Sequence, residues 1–138
     1  MAATQLVVDS DVVIDLLRQS APTLRAALAR LDCSVTAISL HELLAIPVLS
    51  GRQVTSLNHL LELMPDLPFD ASAAEKSSDV WRSLASRGQL IGLADILSAG
   101  IFLANDLPLV TRNIDHSNRI EGLKLIMPDG LQAQIDAG

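Results

Sequence analysis

Near its amino terminus the chain reads Leu6-Val-Val-Asp9-Ser-Asp11-Val-Val-Ile14, an apolar run interrupted by acidic and hydroxyl side chains. The β-branched residues from Gln5 to Val8 predict a short buried strand, and the apolar spacing from Val12 onward predicts a helix. A strand that leads directly into a helix is typical of a parallel α/β sheet. This stretch therefore predicts the first strand and the first helix of such a sheet, with Asp9 at their junction.

The same alternation continues along the chain. Further strands are predicted at 34–36, 67–69, 109–111 and 123–126, and further helices over 23–31, from Ser39, over 54–63, from Ser72 toward Ser86 and over 94–104. Ser39-Leu-His-Glu42 and Ser72-Ala-Ala-Glu75 each match a capping box, in which serine and glutamate side chains accept from free backbone N–H groups. Short aliphatic strands alternating with helices predict a three-layer α/β/α domain with a mostly parallel central sheet flanked by helices.

Length and composition indicate one domain with an acidic surface. The chain has 138 residues, of which 49% are hydrophobic and 19% charged, and its formal net charge is −6. No linker or repeat interrupts it, which predicts a single domain over 1–138 with a loosely ordered tail from about residue 128. With one Trp, two Phe and no Tyr, the chain lacks both stacking residues and a broadly basic face. If the protein binds a nucleic acid, we therefore expect a metal ion to mediate part of the contact.

Cysteine usage and hydropathy indicate a cytoplasmic protein. Cys33 is the single cysteine, so an internal disulfide is excluded. The apolar run at 6–17 contains three aspartates and no basic residue precedes it, which argues against a signal peptide. The longest apolar stretch, 90–104, contains Asp95 and is shorter than the ~20 residues of a membrane-spanning helix. We therefore expect no association with a membrane.

Four carboxylates occupy comparable places in the predicted elements. Each follows a predicted strand or stands near the start of a predicted helix: Asp9, Glu42, Asp95 and Asp115. Taken singly, each is explained as a helix cap or a solvated loop residue. Brought together, they would repel one another unless a divalent cation lay between them, and all-oxygen ligands select Mg²⁺ or Mn²⁺. A cation held in this way suits hydrolysis of a phosphodiester by an activated water.

These motifs resemble those of the PIN-domain family, and most closely its VapC-type toxin ribonucleases. The resemblance extends from Leu6 to about Leu125 and is carried by Leu6-Val-Val-Asp9-Ser-Asp11-Val-Val-Ile14, Thr36-Ala-Ile-Ser39-Leu-His-Glu42-Leu43, Gly92-Leu-Ala-Asp95-Ile-Leu-Ser-Ala99 and Leu109-Val-Thr-Arg-Asn113. It implies an endoribonuclease that depends on Mg²⁺ or Mn²⁺ and cleaves RNA phosphodiester bonds. It also implies a homodimer that is the toxin of a toxin-antitoxin pair and is neutralised by a VapB-type antitoxin protein.

The resemblance also implies roles for individual residues. Asp9, Glu42 and Asp95 match the family's first three acids, with Asp9 and Asp95 as metal ligands. The family commonly carries its fourth acid three residues beyond Asn113, where this chain has His116. Asp115 stands one residue early, so either Asp115 reaches the site from a shifted loop or Asn113 and three acids suffice. The other residues assigned to the site are supporting side chains and one substrate contact: Asp11, Ser39, Thr111 and Asn113 as supports, and Arg112 for substrate.

Two alternatives to a nuclease remain open. The displaced fourth acid also allows a PIN-like binding module with weak or no catalysis. A receiver-type signalling domain is a second alternative because its Mg²⁺-binding acids also follow strands, but it requires a late lysine and only Lys124 is available. The apolar segment 43–49 and the helix around 57–64 are expected either to pack in the core or to form a surface covered by another chain.

Overall fold

Five parallel strands form the central sheet of the computed structural model, which describes residues 5–18 and 32–128. The strands are β1 (Gln5–Val8), β2 (Asp32–Thr36), β3 (Asp66–Leu67), β4 (Leu109–Val110) and β5 (Leu125–Ile126). Their order across the sheet is β3-β2-β1-β4-β5, and each neighbouring pair is parallel. In the register, Val7 lies opposite Ser34 of β2 on one side and Leu109 of β4 on the other. The predicted parallel sheet is confirmed.

Six helices connect and cover these strands within the described residues. They are α1 (Ser10–Arg18), α2 (Ala37–Leu44), α3 (Gly51–Leu63), α4 (Ala71–Ser86), α5 (Leu93–Asn105) and the one-turn α6 (Ile114–Ser117). The helix predicted over 23–31 and the tail predicted beyond residue 128 lie outside the described residues. Between 32 and 128, every predicted strand and helix is present with small shifts of its ends.

Two hydrophobic cores lie on opposite faces of the sheet, because successive side chains of a strand point to opposite sides. Val8 packs with residues of α1, α2 and α3, among them Leu43 and Leu57. The adjacent Val7 packs with residues of α4 and α5, among them Leu84 and Ile96. The three-layer α/β/α arrangement is therefore confirmed, with β1 buried at its centre.

The starts of α2 and α4 correct the two predicted capping boxes. Helix α2 begins at Ala37, directly after β2, and its N-cap is Thr36, whose Oγ1 accepts from the Ser39 N–H at 2.9 Å. Helix α4 has Asp70 as its N-cap, accepting from the Ala73 N–H at 2.9 Å. Both helices therefore begin earlier than predicted. Glu42 consequently takes no part in a capping box, and its carboxylate is available for other contacts.

Helices α4 and α5 approach each other closely at Gly100. A Cβ added there would lie 2.7 Å from the Ser77 Cβ and 2.9 Å from the Ser77 nitrogen, and it would also overlap the Ala73 carbonyl oxygen. Helix α4 ends at Ser86 with Arg87 as its C-cap, and Gly88 follows in the left-handed region at φ +64°. Both glycines thus occupy positions where another side chain would strain the backbone or collide with it.

The apolar segment around α2 and α3 divides between the core and the surface. Leu43, Leu57 and Met64 are buried in the first core. Leu44 and Leu63 are 63% and 65% exposed. Val48, in the loop between the two helices, is 83% exposed. Core packing is therefore confirmed for part of this segment, and the rest of it is exposed. In 5–18 and 32–128, no helix has the length and apolar character needed to cross a bilayer.

Candidate active site

The candidate site lies at the carboxyl edge of the sheet, between β1 and β4. The chain order of the strands reverses here, and ligands of open parallel sheets bind in the crevice at such a switch point. Asp9 follows β1 and Thr111 follows β4, and the Thr111 Oγ1 donates a hydrogen bond to Asp9 Oδ2 at 2.8 Å. The Ser10 N–H donates to Asp9 Oδ1 at 2.9 Å. Two hydrogen bonds thus fix the Asp9 carboxylate at the switch point.

Ser10 connects Asp9 to the acid of the neighbouring helix. Its side chain is buried, and its Oγ donates to Glu42 Oε1 at 3.4 Å, across a separation of 32 residues. Because α2 begins directly after β2, Glu42 reaches the same edge of the sheet as Asp9. Ser10 therefore orients two acids from different elements, one through its N–H and one through its hydroxyl.

Asp95 is the third acid brought to this edge. It lies in the first turn of α5, whose N-cap is Gly92 and which has no side-chain cap, so Asp95 is not used as a helix cap. The Asp95 charge contributes to raising the pKa of Asp9 and that of Glu42. The three acids predicted from the sequence therefore lie close enough to interact electrostatically.

Burial and nearby negative charge disfavour the charged forms of Asp9, Glu42 and Asp11. Burial, together with the neighbouring Asp11 charge, raises the pKa of Asp9 to about 6, although hydrogen bonds from Thr111 and Ser10 oppose the rise. Burial also raises the pKa of Glu42 and that of Asp11. A cation is the group that would most directly relieve this repulsion.

Two supporting residues have buried oxygens without hydrogen-bond partners among the described residues. Asp11 Oδ2 accepts from the Arg112 N–H at 3.3 Å, but its Oδ1 has no partner. Ser39 is fully buried, and its Oγ has no partner either. Ser39 and Glu42 are three residues apart and share one face of α2. Buried polar atoms are nearly always satisfied, so these two oxygens indicate that water or an ion completes the site.

The segment after β4 places His116, rather than Asp115, beside the acids. His116 Nδ1 is 3.5 Å from Asp95 Oδ2, and the Asn113 side chain lies 3.3 Å from the same ring nitrogen. Asp9, Asp95, Asn113 and His116 line one small cavity. Asp115 is exposed and makes no hydrogen bond or ion pair with a described residue. Asn113 also donates its N–H to Thr111 Oγ1 at 3.0 Å, which links it to Asp9.

Arg112, the predicted substrate contact, is already paired. Its Nε lies 2.8 Å from Asp15 Oδ2, and its side chain is about half exposed. Asp15 is not among the site residues predicted from the sequence, yet Asp11 and Asp15 are four residues apart and therefore share one face of α1. The spacing of four residues from Asp11 is the sequence signal that would have placed Asp15 near the candidate site.

The donor set fits a hard divalent cation. Within the described residues, no three histidine, cysteine or carboxylate side chains converge tightly enough to enclose an ion by themselves. Mg²⁺, however, usually retains several waters and is held by only one or two carboxylates. Asp9 and Asp95 can provide these carboxylates, and the unpartnered oxygens of Asp11 and Ser39 add polar groups to the surroundings.

Fold and site together define an α/β/α domain with a cluster of acids at the switch point of a parallel sheet. The sequence profile of the PIN domain family matches residues 6–121. The chain therefore belongs to the PIN domain family, whose members are generally nucleases. A comparison with curated protein sequences found no match.

Several solved structures share this fold. VapBC2 from Rickettsia felis, bound to a promoter DNA fragment, is 20% identical with a TM-score of 0.79, covering 90% of this chain and 98% of that one. DNA-bound VapBC from Salmonella typhimurium is 21% identical with a TM-score of 0.79, covering 91% and 98%. FitAcB from Neisseria gonorrhoeae is 24% identical with a TM-score of 0.74, covering 89% and 97%. At these identities the likeness shows a common fold over nearly the whole of each chain.

Proposed function

We propose that this protein is a Mg²⁺- or Mn²⁺-dependent endoribonuclease and the VapC-type toxin of a toxin-antitoxin pair. The observation that carries the proposal is the meeting of Asp9, Glu42 and Asp95 at one switch point, with burial and like charge raising the pKa of Asp9 to about 6. A purely structural role would not explain why three carboxylates that repel one another lie so close together. Membership of the PIN domain family and the fold shared with VapBC complexes support the same function.

In this proposal the protein holds and orients the reacting groups. A bound cation would lower the pKa of water in the site and offset the charge that develops on the scissile phosphate. Asp9 and Asp95 would hold the cation, and Glu42 would orient the attacking water by accepting its hydrogen bond. Ser10 and Thr111 are positioning residues, because they fix Glu42 and Asp9 without facing substrate themselves.

The fourth position of the site is proposed to belong to the α6 segment. His116 and Asn113 lie beside Asp95 and line the cavity that contains Asp9. Asp115 would contribute only if α6 turned to bring its side chain inward. Arg112 is proposed to act through Asp15 and Asp11, since its guanidinium and its N–H are already bonded to these acids.

We propose two protein partners, a VapB-type antitoxin and a second copy of the chain. Several solved structures with this fold are of VapBC complexes. The exposed apolar side chains Leu44, Val48 and Leu63 around α2 and α3 offer surface that a partner could cover. The proposed location of this activity is the cytoplasm.

The test is cleavage of total cellular RNA by purified, antitoxin-free protein with Mg²⁺ or Mn²⁺, with new ends mapped by sequencing. We expect discrete cuts that EDTA prevents and that Asp9→Asn or Asp95→Asn reduces by at least about a hundredfold, because loss of a metal ligand also removes the charge stabilisation that the cation supplies. The matched control is Asp106→Asn. Asp106 is largely exposed and lies in the left-handed region at φ 51°, which asparagine also tolerates.

Each outcome of this experiment decides between the functions considered. Cuts that require both the metal and Asp9, and persist in Asp106→Asn, would establish the nuclease. Folded protein that cuts no RNA under any of these conditions would contradict it and favour a PIN-like binding module. Cuts that persist unchanged in Asp9→Asn would mean that the acids at the switch point are not the catalytic groups.

A further inference from the structure

A cleft of about 390 Å³ opens between α4 and the segment that joins α6 to β5. Three basic side chains line it, together with two acidic ones and an apolar floor. The basic residues are Lys76, Arg87 and Arg119, and the acidic residues are Asp79 and Glu121. None of these residues has a role in the site described above. In a chain with a net charge of −6, a cleft with more basic than acidic residues requires its own explanation.

Within the described part of the chain, the basic residues of the cleft have no acidic partners. Among residues 5–18 and 32–128, none of the three forms an ion pair with a carboxylate. The Arg87 guanidinium donates only to neutral oxygens, which include the Arg119 carbonyl at 2.8 Å and the Gln89 side chain at 3.1 Å. Arg119 Nη1 in turn reaches the Gln89 carbonyl at 3.5 Å. The two guanidinium groups thus lie next to each other, and both donate hydrogen bonds to neutral oxygens.

The acids of the cleft do not cancel this charge. Asp79 is paired at 2.6 Å with Arg82, which does not line the cleft. Glu121 is therefore the one acid among the described lining residues that is not already paired with a cation. An anion bound in the cleft would receive charge-assisted hydrogen bonds from planar guanidinium groups, whose geometry suits phosphate. The dipole of α4 accounts for a cation at Arg87, near the helix C-terminus, but not for Arg119 or Lys76.

The cleft begins where the acidic site ends. Residues 87–92 connect the end of α4 to the start of α5, so Arg87 lies at the same edge of the sheet as Asp95. Ile120 lines both the cleft and the small cavity that contains Asp9 and Asp95. From Arg87 to Lys76 the cleft follows α4 for roughly 16 Å, at about 1.5 Å per residue. A nucleic-acid strand bound along the cleft would therefore lead directly to the acids.

We propose that this cleft binds the phosphate backbone of single-stranded RNA and guides the strand to the acids. The inference rests on the proposed ribonuclease function and adds the path of its substrate. No aromatic side chain is among the described residues that line the cleft. Binding there is therefore electrostatic and independent of base sequence, because stacking platforms are absent from that lining. The choice of cleavage site would then be made elsewhere, near the acids.

The test measures binding rather than cleavage, in an Asp9→Asn background that leaves RNA intact. Affinity for a short fluorescein-labelled single-stranded RNA of mixed sequence is measured by anisotropy over a range of salt concentrations. We expect Arg119→Gln and Lys76→Gln each to weaken binding roughly two- to fivefold, as for loss of one exposed ion pair. The slope of log affinity against log salt should become shallower by about 0.7 for each phosphate that the variant no longer binds. Arg87→Gln is avoided because Arg87 also bonds Ser83, Gln89 and Arg119.

Two further variants separate loss of charge from loss of fold. Glu121→Gln removes the opposing acid, so it should strengthen binding by a similar factor, a result that unfolding cannot produce. Arg52→Gln is the matched control for charge. Arg52 is exposed on α3, which packs against the opposite face of the sheet from α4, so RNA affinity should stay within error of the parent value.

The outcomes distinguish this inference from the function on which it rests. If the parent binds RNA but affinity and salt slope are unchanged in the Arg119, Lys76 and Glu121 variants, the cleft proposal is overturned while the ribonuclease proposal stands. If the parent binds no RNA at all, the cleft proposal is overturned as well, and the ribonuclease proposal is decided by the cleavage experiment alone.

Discussion

Asp9 is held by two hydrogen bonds at the end of β1, yet its ionised form is disfavoured there. Its folded-state pKa of about 6 exceeds the ordinary value of 3.8 because of burial and the charge of Asp11. Between about pH 4 and pH 6 the folded chain therefore binds more protons at Asp9 than the unfolded chain does. The free energy of unfolding consequently falls as the pH rises through this range. The charge that the proposed chemistry requires thus destabilises the metal-free protein at neutral pH.

We accordingly expect Asp9→Asn to stabilise the metal-free protein. At pH 7 the free energy of unfolding should rise by about 1–3 kcal/mol, since each pKa unit corresponds to about 1.4 kcal/mol. At pH 4 most of the gain should be absent, because Asp9 of the folded parent is then protonated and the substitution removes almost no buried charge. Urea denaturation in EDTA at the two pH values measures the difference. An equal effect at pH 4 and pH 7 would contradict the raised pKa.

His116 and Asp115 give opposite predictions for the fourth position of the site. Because His116 contacts Asp95 and Asp115 contacts none of the acids, His116→Ala should lower metal-dependent cleavage by about 10- to 100-fold, as for groups that orient metal ligands. Asp115→Ala should leave the rate within about twofold of the parent, as for an exposed surface residue. Initial rates on one RNA at fixed Mn²⁺ measure both. The reverse order would assign the fourth position to Asp115.

The sequence indicates which three acids the fold brings near one another, but not which residue of α6 lies beside them. Asp9 directly follows β1, Asp95 lies in the first turn of α5 and Glu42 lies in the helix that follows β2, and the carboxyl edge of a parallel sheet brings such positions together. Asp115 and His116 differ by one position in a four-residue helix, and one residue turns a helix by about 100°. Which of the two faces the acids depends on how α6 is seated on the sheet, and no local pattern encodes this.

At the scale of elements, the packing of α4 against α5 depends on the absence of a side chain at Gly100. We expect Gly100→Ala to lower the free energy of unfolding by about 1–3 kcal/mol, because the added methyl group overlaps α4 backbone atoms that cannot rotate away. Thermal and urea unfolding at neutral pH provide the measurement.

The matched control for that variant is Gly51→Ala. Gly51 begins α3, and nothing lies within 4 Å of a Cβ added to it. The same change there should stabilise the chain by about 0.4–1 kcal/mol by restricting the unfolded state. Equal effects at the two glycines would show that α4 and α5 can separate at little cost.

The order of elements was predictable, whereas some helix starts were not. Alternating β-branched runs and helical spacing identify strands and helices locally, so the three layers follow from the sequence. The two capping boxes at Ser39 and Ser72 are local matches that tertiary structure overrides. Strand β2 is paired as far as Thr36, so α2 begins there without a loop, and Thr36 becomes the cap. A residue inside the helix cannot also be its cap.

At the scale of the whole molecule, the proposed cation should stabilise the fold that it completes. Binding to the folded chain alone contributes about 2.7 kcal/mol at a concentration a hundred times Kd, so Mn²⁺ should raise the Tm of the parent. Asp95→Asn should abolish most of this increase, and Asp106→Asn should retain it. Calorimetry with Mn²⁺ and with EDTA measures the effect. If the Tm of the parent is the same with Mn²⁺ and with EDTA, the proposed metal site is contradicted.

The sequence could not predict which basic residues from distant parts of the chain lie next to each other. Arg87 and Arg119 are 32 residues apart, and each alone is explained as a solvated surface residue. Arg112, in contrast, follows a strand near the acids, so the sequence predicts it as a substrate contact. In the structure its guanidinium is paired with Asp15. Only the three-dimensional arrangement shows which basic side chains lack acidic partners.

The hydrogen bond between Asp9 and Thr111 joins positions 102 residues apart in the chain. A ribosome adds roughly 5–20 residues each second, so about 5–20 s pass between synthesis of β1 and synthesis of β4. Just before β4 is made, the nascent polypeptide already contains Asp9, Glu42 and Asp95 but lacks the strand that completes their side of the sheet. Translation itself thus delays assembly of the site until β4 has been made.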